Sequence, residues 1–160
     1  ACDSEQKIAA ELMRMEHNGN LTMEQRAAID PSVLAHFFTS ELGQRLRRAP
    51  NVWREVPFSY GVQAKEIYPE AVASDETVLL QGVIDCLFET EDGTLVLVDY
   101  KTDRVYHDGR IEQIRQRYKL QVHLYARAVA DIWKRPVDEA YLYLFDGGHI
   151  VRMQNEPAGL

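Results

Sequence analysis

The chain has 160 residues, 46% of them hydrophobic and 27% charged, and its formal net charge at pH 7 is −7. This length suits one domain with a sizeable core, and the composition excludes a disordered chain and argues against an obligate nucleic-acid coat protein. No apolar run of about 18 residues and no apolar leader occurs, so neither a membrane span nor a secretory signal is expected. Two cysteines are too few for an iron–sulfur cluster or a disulfide framework, and they favour a reducing cytoplasm.

The N-terminal part of the chain predicts helices. Ser4 is a candidate N-cap for a first helix, and a short helical segment follows over 23–29. Asp30 and Pro31 predict the start of the next helix, because Asp is a favoured N-cap and Pro suits the first helical position. The apolar stripe of that helix continues as far as Leu46, so we predict one uninterrupted helix.

After Pro50 the composition favours strands. We predict strands over 52–60, 78–89 and 95–100, a helix over 110–133, and a final hairpin of 139–145 and 150–153. This order of elements predicts an α/β fold, in which a central mixed sheet is flanked by helices. We therefore expect an N-terminal helical segment, 1–48, that packs on a core formed by 49–160 within one domain.

The most informative segment is the hairpin between the second and third strands. Asp99 and Lys101 are two residues apart and therefore share one face of the third strand. Leucines precede them on that face and valines line the other, which is typical of an interior strand covered on both sides. A carboxylate and an ammonium group at the end of such a strand cost free energy unless they are paired or used.

The position of Asp85 depends on the length of the turn. A two-residue loop at Asp92-Gly93 would direct Asp85 to the face opposite Asp99. A three-residue loop over 91–93, with Gly93 in the left-handed conformation, places Asp85 opposite Asp99 instead. We predict the three-residue loop, which brings the two carboxylates to about 4.5–5.5 Å at Cβ.

Two carboxylates this close repel each other unless a cation lies between them. Lys101 is one candidate for that cation, and a bound divalent metal is the better one. Mg²⁺ fits the site, with Mn²⁺ as a second option, because hard cations prefer oxygen ligands. An ordinary cross-strand network of aspartate and lysine is the alternative that the spacing leaves open.

Two stretches of this hairpin resemble a known family: Gln81-Gly82-Val83-Ile84-Asp85 and Val98-Asp99-Tyr100-Lys101-Thr102-Asp103-Arg104. The family is the RecB-like branch of the PD-(D/E)XK nucleases, and the most similar member is the C-terminal nuclease domain of the A subunit of AddAB-type helicase–nucleases. Segments 40–46, 54–58 and 121–125 are similar to the same family. The resemblance implies a core of the restriction-endonuclease type. The nucleotide-binding pattern G-x-x-x-x-G-K-[ST] is absent, so no nucleotide is expected in this segment.

The resemblance implies a role for several residues around the hairpin. Asp85 and Asp99 correspond to metal ligands, with the backbone carbonyl of Tyr100 as a third ligand. Lys101 corresponds to the catalytic lysine of the family. Glu55 matches a glutamate in the preceding strand, where it either faces the site and braces the lysine or remains a surface carboxylate.

The same resemblance assigns substrate contacts to the long helix. Gln121 and Tyr125 match a Q-x-x-x-Y signature that lies beside the substrate strand, Arg117 extends that helix face by one turn, and Arg104 follows the hairpin. Residues 101–119 carry six basic and three acidic side chains, so they form either a phosphate track or a solvated helix face. Tyr125 also falls on the apolar stripe of the helix, which makes core packing an equal alternative for it.

One feature of the family is missing from this sequence. RecB-like nucleases carry a histidine metal ligand on an upstream helix, in a Gly-Thr-x-x-His segment that does not occur here. His36 lies opposite the apolar stripe of its helix, and His17 and His123 lie outside any such motif, so we expect all three at the surface. Because the chain begins without Met, we expect a piece of a longer protein that starts after the histidine helix, with reduced metal affinity and activity.

The resemblance implies a Mg²⁺-dependent deoxyribonuclease with exonuclease-type activity, acting in double-strand break repair and recombination in a bacterial cytoplasm. The implied partners are single-stranded DNA fed by a helicase motor, the upstream helicase region of the same polypeptide and a B subunit, with no membrane involved. The alternative is a nuclease-like module that binds DNA or docks a subunit without cutting.

Overall fold

The structure is a computed structural model that describes residues 4–67, 76–107 and 109–153. Its helices are α1 (Glu5–His17), α2 (Met23–Ala28), α3 (Pro31–Thr39), α4 (Glu41–Arg48), α5 (Ala64–Ile67) and α6 (Gly109–Trp133), and its strands are β1 (Asn51–Gln63), β2 (Thr77–Glu89), β3 (Leu95–Lys101), β4 (Glu139–Leu144) and β5 (His149–Met153). The predicted strands and the long helix are confirmed to within a few residues, whereas the single turn α5 was not expected. No helix in the described ranges is long and apolar enough to cross a membrane.

The prediction of one uninterrupted helix from Pro31 to Leu46 is wrong. The helix breaks at Ser40, which ends α3 and caps α4: its hydroxyl donates to the Phe37 carbonyl at 2.6 Å and accepts from the Gly43 N–H at 3.1 Å. A Cβ atom at Gly43 would lie 2.0 Å from the Phe37 carbonyl oxygen. The apolar stripe continues through the break because both helices pack on the same core, so periodicity alone conceals it.

The five strands form one mixed sheet in the order β1-β2-β3-β4-β5. Neighbouring strands are antiparallel except β3 and β4, which run parallel and are connected by α6. α6 covers one face of the sheet, where it packs with Leu95 and Leu97. α3 and α4 cover the other face, where they pack with Val96 and Val98. The predicted α/β architecture is confirmed, and β3 is an interior strand with both faces buried.

The hairpin of β2 and β3 has the predicted register. Cys86 pairs with Val98, and the Thr90 N–H donates to the Thr94 carbonyl at 3.0 Å across the turn. Gly93 has a φ of 85°, the left-handed conformation that a three-residue loop requires. Extended by one position beyond the Cys86 pair, this register would set Asp85 opposite Asp99.

The sheet divides at Asp85. Regular pairing of β2 with β3 ends at Cys86, and the Asp85 carboxylate instead accepts the Tyr100 N–H at 2.8 Å. From there β2 continues with β1 alone, while β3 continues beside β4 as far as Lys101. Opposite Asp85 on β1, Glu55 has a φ of 50°, in the left-handed region that a side chain rarely adopts.

The division also changes which side chains face α6. Trp53 of β1 and Leu87 of β2 lie on the side of the division nearer the β2–β3 turn, and both pack toward α6. Phe58 of β1 and Ile84 of β2 lie on the other side of the division, and they also pack toward α6. Along an undistorted strand, residues separated by an odd number of positions point to opposite faces. The alternation of side chains between the two faces of the sheet is therefore reversed in β1 and in β2 at the left-handed Glu55. Beyond this point the end of β3 no longer pairs with β2.

Candidate active site

Asp99 is the buried charged side chain at this division, with 3% of its surface exposed. Burial raises the pKa of its carboxyl group, and the Asp85 charge adds to this rise, while Lys101 acts in the opposite direction; the net shift is upward. Its Oδ2 atom lies 2.5 Å from Lys101 Nζ but has no partner in hydrogen-bond geometry among the described residues. This contact is therefore an ion pair without hydrogen-bond alignment, and the buried oxygen retains capacity for a second cation.

The ammonium group of Lys101 is held from two sides. Asp99 contacts it from the same strand, as the two-residue spacing predicted. From α6, Gln121 Oε1 accepts a hydrogen bond from Nζ at 3.1 Å, and Nζ also lies 4.2 Å from the centroid of the Tyr118 ring. Lys101 therefore joins the end of β3 to one face of the long helix.

Asp85 lies beside the end of β3 where the sheet divides, close enough for its charge to act on the Asp99 carboxyl. The Tyr100 N–H binds one oxygen of Asp85, so the carboxylate is oriented by the backbone of β3. The Tyr100 ring lies on the opposite face of the sheet, in the aromatic cluster around Phe37. The side chain of Tyr100 is therefore excluded from this site, and its backbone carbonyl is the one group that it offers as a metal ligand.

Gln121 and Tyr125 form one unit on α6. Gln121 Nε2 donates to the Tyr125 hydroxyl at 2.8 Å, while its Oε1 binds Lys101. The Tyr125 ring packs edge-on against Phe58, at 5.2 Å between centroids, and belongs to the partly buried rim of the core. Core packing, which the sequence left open, is therefore shown for the ring, and the hydroxyl at the same time takes part in the polar network.

The basic segment 101–119 is partly neutralised by its own carboxylates. Asp103 accepts a hydrogen bond from Arg117 Nη1 at 3.0 Å and lies 4.0 Å from Arg110 Nη2. Arg115 pairs with Glu112 in the same way, at 3.4 Å. Arg104 is exposed and forms no ion pair with the described residues. The charge count of this segment therefore overstates the positive charge that is available to a phosphate.

Glu55 and the histidines do not complete a metal centre. Glu55 is exposed, as are His36 and His17, while His123 is half-buried on α6. Within the described ranges, no group of three or more His, Cys, Asp or Glu side chains is placed to hold a metal ion. The described part of the chain thus offers the two aspartates and backbone oxygens.

Sequence reasoning missed two residues of this site. Tyr118 was assigned no role from the sequence, and Asp103 was quoted within the motif that carries the resemblance without a role of its own. Tyr118 lies three positions before Gln121, and this spacing, which puts both on one helix face, was the signal that could have found it. Asp103 lies two positions after Lys101, and it accepts a hydrogen bond from the Tyr118 hydroxyl at 2.9 Å.

Comparison with known proteins shows the family to which the chain belongs. The model of the PD-(D/E)XK nuclease superfamily matches residues 2–158, so the chain belongs to that superfamily. Its nucleases generally use divalent metal ions.

The relatives extend the match to one kind of protein. The chain is 48% identical over 146 residues to the A subunit of an ATP-dependent helicase/nuclease of Bacillus licheniformis, covering 88% of this chain and 12% of that protein. It is 46% identical over 154 residues to the protein of the same name in Geobacillus kaustophilus, covering 92% of this chain and 12% of the relative. The resemblance stated from the hairpin motifs is therefore confirmed, and the chain spans about an eighth of the length of these relatives.

Proposed function

We propose that this chain hydrolyses phosphodiester bonds in DNA, as the nuclease domain of an ATP-dependent helicase–nuclease. The observation that carries the proposal is the buried Asp99 carboxylate, which lies close to Asp85 and contacts Lys101 at the end of an interior strand. A buried carboxylate with a raised pKa, whose Oδ2 atom has the Lys101 ion pair but no aligned hydrogen bond, costs stability. Such a cost is typical of a functional site rather than of a structural ion pair.

The donor set fits a hard divalent cation, with Mg²⁺ as the proposed ion and Mn²⁺ as a substitute. Asp85, Asp99 and the backbone carbonyl of Tyr100 would hold it, and a further ligand would come from outside the described residues. When bound, the cation supplies polarisation of the scissile phosphate and makes an adjacent water more acidic.

The side chains of the site have distinct tasks in this proposal. Lys101 places a positive charge beside the phosphoryl group, where negative charge increases during the reaction. Gln121 orients that ammonium group, and Tyr125 fixes Gln121 in turn. Arg117 and Arg104 contact the phosphates of the substrate strand, and Arg117 exchanges its Asp103 partner for phosphate when it does so.

The names of the relatives support a helicase region as a partner, and the other proposed partners rest on the resemblance to the RecB-like family. As part of a bacterial helicase–nuclease in the cytoplasm, the domain would receive single strands from the helicase region of the same polypeptide, beside a B subunit, in the repair and recombination of double-strand breaks. A net charge of −7 suits such a tethered domain, because the motor maintains a high local concentration of substrate. The division into a helical segment, 1–48, and a nuclease core, 49–160, remains a prediction.

A second candidate function is a nuclease-like module that binds DNA or docks a subunit but, as an isolated piece, does not cut. The absence of a third histidine or carboxylate ligand from the described ranges favours it. Under this alternative, the two aspartates would still bind a cation weakly, but no cleavage would follow.

Cleavage of linear single-stranded DNA tests the proposal. End-labelled DNA is incubated in Mg²⁺ or Mn²⁺ with this chain and with an N-terminally extended version, each as wild type, Asp99→Ala and Lys101→Ala. We expect cleavage to fall by about 100-fold or more in both variants, since each removes a charge that acts on the reacting phosphate. Glu91→Ala, which removes an exposed carboxylate from the turn, is the matched control and should cleave as wild type.

Two outcomes would overturn the proposal. Equal cleavage by wild type and Asp99→Ala would mean that a contaminant or another site performs the reaction. No cleavage by either the chain or the extended version would favour the binding module.

A further inference from the structure

We propose that Tyr118 is a positioning residue for Lys101, and that Asp103 holds Tyr118 in place. This inference rests on the proposed function, because it assigns a task to two residues around the same ammonium group. Neither residue belongs to the aspartate pair, and neither is part of the Q-x-x-x-Y signature.

The first observation is the position of the Tyr118 ring. Lys101 Nζ lies 4.2 Å from its centroid, a distance at which the electron-rich face of an aromatic ring attracts a cation. Tyr118 is half-buried, so the attraction is less screened than at an open surface. The Tyr118 ring therefore restricts where the Lys101 ammonium group can lie. The ring takes no proton from the ammonium group.

The second observation concerns the direction of the other contacts. Asp99 draws the ammonium toward the strand at 2.5 Å, and Gln121 draws it toward α6 at 3.1 Å. A lysine side chain has a flexible four-carbon stem and three donors, so it follows whichever partner is strongest. If the Asp99 carboxylate is engaged by a metal ion, Gln121 and Tyr118 are the described contacts that remain to hold Lys101 near the reacting phosphate.

The third observation is the anchoring of Tyr118 itself. Asp103, whose side chain is 14% exposed, accepts the Tyr118 hydroxyl at 2.9 Å on one oxygen and Arg117 at 3.0 Å on the other. Asp103 follows Lys101 by two residues, so the segment after β3 is tied to the helix that carries the ring. The alternative is that Tyr118 only fills space in the core, since its ring also packs against the cluster under α6.

Nuclear magnetic resonance of the metal-free protein distinguishes these two roles. The chain has five lysines, and ¹³C labelling at Cε gives each an observable signal; the Lys101 signal is assigned by its loss in Lys101→Gln. Protons above an aromatic ring are shifted upfield, so the Lys101 ε-protons should carry such a shift in wild type. Tyr118→Leu should abolish it, whereas Tyr118→Phe and Asp103→Asn should each reduce it, because each weakens the hydrogen bond that holds the ring in place.

Steady-state cleavage of single-stranded DNA gives the functional readout, on whichever version of the chain is active. We expect Tyr118→Leu to lower kcat by about 10- to 100-fold, the scale of a misplacement near 1 Å, while KM changes less than about threefold. Tyr118→Phe should recover part of kcat, since it keeps the ring face but loses the hydrogen bond to Asp103. Tyr60→Leu is the matched control, because Tyr60 also donates its hydroxyl to an aspartate of α6, Asp131, away from Lys101.

Three outcomes would overturn the inference: a Lys101 signal unchanged in Tyr118→Leu, wild-type kcat in that variant, or an equal loss in Tyr60→Leu. Failure of the proposed function is recognised separately, because the ring-current shift is measured without metal or substrate. If the shift is present and no version of the chain cleaves DNA, the catalytic role of Lys101 and the inference built on it are both wrong. If Asp99→Ala abolishes cleavage and Tyr118→Leu does not change it, only the inference is wrong.

Discussion

The two faces of β3 end in opposite chemistry, although they belong to one strand of seven residues. Toward α6 the side chains change from apolar to charged, in the order Leu95, Leu97, Asp99 and Lys101. Toward α3 and α4 the same end is closed by an aromatic cluster of Phe37, Phe38, Tyr100, Tyr143 and Phe145. Packing on the aromatic face stabilises the fold, and the buried charge on the α6 face offsets part of that stabilisation. Stability and the proposed chemistry are thus separated on the two sides of one strand.

The largest expected effect on stability is at the aromatic face. Phe37 is almost fully buried and its ring centroid lies 4.7 Å from that of Tyr143 and 5.4 Å from that of Tyr100. Phe37→Ala should lower the free energy of unfolding by about 3–5 kcal/mol, because it leaves a cavity in this cluster. Urea denaturation measures the loss. The more exposed Phe38→Ala should cost less, and an equal loss in the two variants would mean that the cluster does not depend on Phe37.

A smaller effect of opposite sign is expected on the α6 face. Asp99→Asn removes a buried carboxylate whose pKa is raised by desolvation and by the Asp85 charge. The amide keeps the shape of the side chain, and Gln121 and the Tyr118 ring still contact the Lys101 ammonium. We expect the metal-free variant to be more stable than wild type by about 1 kcal/mol at pH 7, while cleavage is lost. Thermal and urea unfolding in a chelator test this. A loss of stability above that amount would show that the Asp99–Lys101 ion pair is a structural contact, and the contrast between the two faces would fail.

The smallest expected effect is pH-dependent. Arg45 of α4 contacts Glu139 of β4 at 2.7 Å. Burial raises the pKa of the Glu139 carboxyl, but the hydrogen bonds from Arg45 and Tyr141 together lower this pKa by more, so the net shift is downward. A carboxyl group with a lowered pKa stabilises the fold above its unfolded-state pKa, and this contribution disappears as the pH falls through its folded-state pKa.

Glu139→Gln should therefore lower the free energy of unfolding by about 0.5 kcal/mol at pH 7 and have almost no effect near pH 2.5, below the ordinary carboxyl range. Urea titrations of wild type and variant at several pH values give the difference. Glu91→Gln, at an exposed position of the turn, should show no such dependence. If the difference in free energy of unfolding between wild type and Glu139→Gln stays constant with pH, Arg45 does not stabilise the fold through the charge of Glu139.

Local signals predicted much of the fold and the centre of the site. Alternation of apolar residues predicted the strands, and Asp30 and Pro31 predicted the start of α3, because these signals act within a few residues. The left-handed Gly93 predicted the three-residue turn, and this turn set the register that pairs Cys86 with Val98. The break at Ser40 was missed because one residue can end a helix and cap the next without interrupting the apolar stripe.

Tertiary structure decided the surroundings of the lysine and the available charge. Tyr118 is 17 positions from Lys101, and nothing in their sequence spacing indicates that α6 crosses the end of β3 with this ring beneath the ammonium. The division of the sheet at Asp85 depends equally on contacts between strands, and so does the left-handed conformation of Glu55. Asp103 pairs with Arg117 through folding, so the positive charge counted along 101–119 is not the charge that a phosphate meets.

The sequence by itself therefore determined the strands, the turn and the register of the hairpin, because hydrogen bonds and side-chain alternation within a hairpin are set by neighbouring residues. Only the tertiary structure decided how Lys101 is held, which tyrosine contacts it and which arginines are already paired. Those contacts join residues from separate elements, and their distances follow from how α6 packs on the sheet.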